Sequence, residues 1–166
     1  RRIIIDTDPG QDDAMAILLA LASPAEVDVL GITAVAGNVP LELTARNARV
    51  VCELAGRPEV KVFAGSDAPM QRALVTAEHV HGKTGLDGPE LWTPEMPLQP
   101  LHGVDFIVES LRAEPPGTVT LCPLGPLTNV ATAFSDEVAP PASPGAETDT
   151  VTIPVKNLVP VDPDAF

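Results

Sequence analysis

Four aspartates fall close together near the start of the chain, in Asp6-Thr7-Asp8-Pro9-Gly10-Gln11-Asp12-Asp13. Carboxylates this near to one another repel and raise each other's pKa unless a cation or hydrogen-bond donors compensate. A hard divalent cation with oxygen ligands is the simplest compensation. Pro9-Gly10 supplies a tight bend, and the Asp12-Asp13 pair stands where helix N-caps stand, beside free N–H groups and the positive end of a helix dipole. A cap explains one aspartate but not four following an apolar strand. The same run contains Asp-x-Asp-x-Gly, as calcium-binding EF-hands do. The twelfth position counted from Asp6 is Ile17, however, where that loop needs a bidentate glutamate, and the EF-hand reading fails.

The elements that must position these carboxylates can be read from the flanking pattern. Ile3-Ile4-Ile5 is a β-branched strand and Ala14 to Ala22 an aliphatic helix, so the opening is strand, acidic loop, helix. Val27 to Thr33 reads as a second strand, followed by a Gly37-Asn38 turn and a helix from about Leu41 to Ala55 that stops at Gly56. Val60 to Ala64, Val104 to Leu111, Thr118 to Cys122 and Pro126 to Phe134 continue as strand, helix, strand and helix. This alternation predicts an α/β fold with a doubly wound, mainly parallel sheet, in which ligands sit beyond the carboxyl ends of the strands, where the acidic loop lies. The long polar stretch from Met70 to Pro100, with His79, His81, Trp92 and three glycines, is expected to be a functional lid or a mobile insertion. From Ser135 the texture changes to Pro140-Pro141-Ala142-Ser143-Pro144-Gly145, read as a linker, with Val151 to Val155 as one more short strand. Residues 1–134 therefore read as the α/β domain, incomplete at its C-terminal end, and 135–166 as a divergent proline-rich tail.

Composition narrows the class of partner. At 166 residues and 45% hydrophobic content the chain can bury a core of one domain. A net charge of −13, from 23 acidic and 10 basic residues, opposes nucleic acid and anionic membranes as partners and favours a small uncharged substrate. No apolar run is long enough to span a bilayer and Arg1-Arg2 leads straight into a strand, so the expected location is the cytoplasm. Cys52 and Cys122 lie far apart with no further metal-type ligand beside either, and both read as small buried hydrophobes.

The opening motif, Asp6 to Ala14, resembles that of the inosine/uridine-preferring nucleoside hydrolases, and the likeness continues in order along residues 3 to 134. Gly31-Ile32-Thr33-Ala34-Val35-Ala36-Gly37-Asn38, Thr44-Ala45-Arg46-Asn47-Ala48, Ala64-Gly65, His79-Val80-His81-Gly82, Gly85-Leu86, Val104-Asp105-Phe106-Ile107 and Pro123-Leu124-Gly125-Pro126-Leu127-Thr128-Asn129 each resemble a family segment. The first motif is highly specific, while the later ones are weak singly and strong in sequence.

The resemblance implies hydrolysis of the N-glycosidic bond of a ribonucleoside through an oxocarbenium-like transition state, with Ca2+ as cofactor. Carried over residue by residue, Asp8 is a calcium ligand and the general base, Asp13 is a second calcium ligand, and Leu124 contributes its main-chain carbonyl. Asp12 accepts from the ribose hydroxyls, Asn38 lines the same pocket, His81 approaches the base, and Asp6 orients its neighbours from behind. His102 reads as structural, Asn129 as ordering the loop before the last helix, and Trp92 as lid packing or a stacking surface. Dimers or tetramers are implied by the same likeness. The family's remaining calcium aspartate, ribose-binding segment and leaving-group acid lie in a second half, so this chain is expected to correspond to an N-terminal half, weakly active or inactive alone. Asn157 and Asp162-Pro163-Asp164-Ala165 faintly resemble the ribose-binding segment, with the interval off by one. Two alternatives stand beside the enzyme. One is a non-catalytic calcium- or nucleoside-binding domain or remnant. The other is a haloacid-dehalogenase-type phosphatase using Asp6-Thr7-Asp8.

Overall fold

Ile3, Ile4 and Ile5 alternate between the two faces of one strand, and each face carries its own core. The computed structural model describes residues 1–88 and 90–138. In chain order the elements are β1 (Arg2–Thr7), α1 (Gln11–Leu21), β2 (Asp28–Ala34), α2 (Leu41–Leu54), β3 (Val62–Ala64), α3 (Glu78–His81), β4 (Leu98–Gln99), α4 (Gly103–Ala113), β5 (Val119–Pro123) and α5 (Thr128–Val138). Ile3 and Ile5 pack with Ile17 and Leu21 of α1, Val51 and Cys52 of α2, Val62 and Met96. Ile4 packs on the other face with Val104 and Ile107 of α4 and Ala133 of α5. Each fully buried isoleucine contributes about 1.5–3 kcal/mol of hydrophobic stabilisation, so β1 is anchored from both sides.

The strands are ordered β4-β3-β2-β1-β5, and every pairing is parallel. The α/β, doubly wound expectation is met, with α1 and α2 on one face and α4 and α5 on the other. Winding runs outward from β1 through β2 and β3 to β4, then returns to place β5 on the opposite side of β1. The carboxyl end of β1 is therefore the topological switch point, where two loops diverge and leave a crevice.

Several boundaries differ from those expected. Helix α1 begins at Gln11, ahead of Ala14, because Gly10 takes the N-cap position and Asp13 reaches back to accept its N–H at 3.2 Å. Asp12 and Asp13 thus lie inside the first turn, and the expectation that they stand at the cap is corrected. The stretch from Met70 to Pro100 holds α3 and an edge strand, β4, that the polar composition concealed. Helix α5 starts later than Pro126 and continues to Val138, past the boundary expected at 134. The tail beyond it, including Val151 to Val155, Asn157 and Asp162 to Ala165, lies outside the described residues. Cys52 is buried and Cys122 half-buried, both as free thiols. Among the described residues no helix is long and apolar enough to cross a membrane.

Candidate active site

The acidic loop is held from beneath by a network that closes over Asp6. This side chain is fully buried, and its Oδ1 accepts from Thr33 Oγ1 at 2.6 Å and Asn129 Nδ2 at 2.8 Å. Asn129, at the start of α5, also donates to Ala34 O at 3.2 Å and accepts from Ser66 N at 2.7 Å. It therefore joins β1, the end of β2 and the loop after β3. Gly65 has to be glycine here, since a Cβ would stand 2.3 Å from Asn129 Oδ1. Burial pushes the Asp6 carboxyl above its ordinary pKa, against the opposing pull of those two donors. A sealed Asp6 cannot attack a phosphate, and the haloacid-dehalogenase reading loses its nucleophile.

Asp8 and Asp13, each 5% exposed, form the upper layer. Asp13 accepts from Thr7 Oγ1 at 2.6 Å and from Gly10 N at 3.2 Å, which fixes both of its oxygens. Asp8 Oδ2 accepts from Asn38 N at 2.7 Å, while Asn38 Nδ2 donates to Asp8 O at 2.9 Å. Asn38 thus grips Asp8 from both its main chain and its side chain. Two glycines wall the carboxylate. A Cβ on Gly37 would lie 2.1 Å from Asp8 Oδ2, and one on Gly125 would lie 2.2 Å from Oδ1. Among the described residues no ion pair reaches Asp8 or Asp13. Burial pushes Asp8 up to about 7, with repulsion from Asp13 adding to it and the Asn38 N–H opposing it; burial also raises Asp13.

Among the described residues no three His, Cys, Asp or Glu side chains are grouped to hold a metal ion. The donor set nonetheless suits a hard cation in kind. Two buried carboxylates, Asp8 and Asp13, lack a compensating positive charge among the described residues. Leu124, on the loop after β5, gives its N–H to Asp6 O at 2.7 Å, so the strand tip and this loop are joined next to Asp8.

The other residues singled out from sequence surround this centre. Asp12 is exposed on the first turn of α1. The half-buried His81 lies across Gly10, where a Cβ would stand 2.5 Å from its Nδ1 and 3.1 Å from Asn38 Nδ2. Asp8, Asp13, Asn38 and His81 are thus brought together, and Leu124 borders them. His102 caps α4, its Nδ1 accepting from Val104 N at 3.3 Å, which matches a structural role. Trp92 donates to Glu53 Oε2 at 2.6 Å and packs the covering segment onto α2. A separate open cavity, lined by Ser66, His102, Thr128 and Met70 among others, involves none of the acidic-loop residues.

Asn47 has a role that no motif or spacing in the chain pointed to. Fully buried in α2, it donates to Pro9 O at 3.2 Å and to Thr84 O at 2.8 Å, joining the acidic loop to the segment above it. The available signal was an amide set among Thr44, Ala45, Ala48 and Val51 on the buried face of a helix.

Known proteins share this fold and sequence. The sequence model described as inosine-uridine preferring nucleoside hydrolase matches residues 3–141. An uncharacterised protein of Schizosaccharomyces pombe is 54% identical over 134 residues, covering 81% of this chain and 43% of that protein. The pyrimidine-specific ribonucleoside hydrolase RihA of Photobacterium profundum is 48% identical over 131 residues, covering 79% and 42%. Among solved structures, the purine-preferring ribonucleoside hydrolase from Gardnerella vaginalis superposes with a TM-score of 0.76 at 34% identity, covering 82% of this chain and 44% of that one. The chain spans less than half the length of these relatives.

Proposed function

The chain belongs to the inosine-uridine preferring nucleoside hydrolase family, and from that membership we propose that its acidic loop serves hydrolysis of a ribonucleoside N-glycosidic bond, giving free base and ribose. The observation carrying this reading is the pair of buried carboxylates, Asp8 and Asp13, at the switch point without an ion-pair partner among the described residues. Calcium bound there would neutralise the pair and supply Lewis acidity to the attacking water. Asp13, fixed by Thr7 and Gly10, and Asp8 would hold the ion together with the carbonyl of Leu124.

Asp8 is the proposed general base. The role is carried over from the family's opening motif, at whose matching position Asp8 stands, held by the main chain and side chain of Asn38. Asp12 accepts from ribose hydroxyls at the mouth of the site, Asn38 keeps Asp8 in place, and His81 faces the base end. Relatives named as pyrimidine-specific and as purine-preferring both match, so the substrate class is the ribonucleoside, whichever base it carries. The likeness also carries a dimer or tetramer as the proposed form of the whole enzyme.

Two carboxylates and one carbonyl leave a calcium ion short of its usual six to eight oxygens, so residues 1–138 alone should bind it weakly and turn over slowly. The test combines ribose release from inosine and uridine with titration calorimetry using calcium and ribose. Calcium-dependent release lost in Asp8→Ala supports the enzyme. Binding without release favours a non-catalytic binding domain, and the absence of both overturns the reading.

A further inference from the structure

Gln11 is exposed at the first position of α1, yet both ends of its amide meet His81. Its Oε1 lies 2.7 Å from His81 Nδ1, and its Nε2 lies 3.5 Å from the main-chain carbonyl oxygen of His81. The second contact is long and weak as a bond, but it favours this orientation of the amide. A carbonyl oxygen can only accept, so turning the amide over would set oxygen against oxygen there and NH2 against the ring. With the amide so oriented, the group facing Nδ1 is an acceptor, and Nδ1 must carry the hydrogen.

A neutral imidazole has one N–H, so protonation at Nδ1 leaves Nε2 as a bare lone pair. No protein group meets Nε2 among the described residues. The ring itself is held over the acidic loop by contact with Gly10, a place open to it only because that residue has no Cβ. We propose that Gln11 is a positioning residue that fixes the Nδ1–H tautomer of His81, so that Nε2 presents an acceptor to a hydroxyl or N–H of the ribonucleoside and disfavours its carbonyls. The substrate half of this proposal rests on the functional reading above; the tautomer half does not.

Nitrogen NMR of the imidazole side chains, recorded on the ligand-free chain at a pH where the ring is neutral, reads the tautomer directly. The signals of His81 are identified by their loss in His81→Asn. Nδ1 should resonate as a protonated nitrogen and Nε2 as an unprotonated one. Gln11→Leu should bring the two shifts toward each other, and Gln11→Glu, which keeps an acceptor, should restore their separation. A protonated Nε2 in the unaltered chain, or a pattern indifferent to Gln11→Leu, overturns the proposal. Uridine or inosine, at concentrations where calorimetry detects binding, should move Nε2 and leave Nδ1 in place; an unmoved Nε2 refutes the acceptor role. Absence of nucleoside binding would count against the functional reading, while the tautomer result stands by itself.

Discussion

The tip of β1 and the segment that covers it are secured by opposite means. At the tip, the side chains are buried and matched to specific donors: Asp6 to Thr33 and Asn129, Asp8 to Asn38, Asp13 to Thr7. In the covering segment it is mainly the backbone that is gripped. Arg46 donates to the carbonyls of Leu91 and Trp92, Arg49 to that of Met96, and Asn47 to that of Thr84. Every residue has a carbonyl, so a segment held this way can change most of its side chains and keep its path. The carboxylates are thus fixed in a closely matched frame, and the segment above them is a strap whose path depends little on its own side chains.

Removing Asn129 should break the frame most severely. Asn129→Ala takes the acceptor from Ser66 N and one of two donors from each of Asp6 Oδ1 and Ala34 O, at a cost of about 3 kcal/mol, read as a lower urea midpoint at unchanged slope. A loss under about 1 kcal/mol would show that the frame does not depend on this amide.

Acidity tests the same frame through its carboxylates. Because Asp6, Asp8 and Asp13 have raised pKa values in the folded chain, that state binds more protons than the unfolded one, and stability falls as pH rises through the window from 3.8 to about 7. The melting temperature in chelator should drop by several degrees across that window. Calcium should restore it more above the window than below, since the ion needs the deprotonated oxygens. A melting temperature insensitive to both would contradict buried, uncompensated charge at the tip.

The boundary between frame and strap is Asn47. Asn47→Ala should cost about 1 kcal/mol and speed hydrogen exchange of amides around Thr84 while those of β1 stay protected. Equal acceleration in β1 would mean that the two regions form one unit. At the far end of the strap, Trp92→Phe removes only the exposed bond to Glu53 and should leave the unfolding midpoint within error.

The frame was largely legible in the sequence because its signals are local. Three isoleucines specify a strand buried on both faces, and four crowded aspartates require compensation wherever the chain goes. The carboxyl end of a parallel strand then says where they stand. What was not legible depends on contacts between distant segments. Thr33 and Asn129 lie far from Asp6 in sequence and meet it only once the sheet has formed. Leu98-Gln99 is too short and polar to reveal that it pairs with Val62 and Phe63. The beginning of α1 was misplaced because Asp13 satisfies the N–H of Gly10 from within the helix, a choice that propensity does not encode.

Gly37 follows β2 and Gly125 follows β5, the strands on either side of β1, and both press against the carboxylate of Asp8. That side chain consequently works like a feeler gauge set into the seam of the sheet. Any spreading of the three strand tips, by heat, pressure or a bulkier neighbour, must first open the gap around its oxygens. Local loosening of the sheet would then register as hydration of one acid well before the strands themselves part.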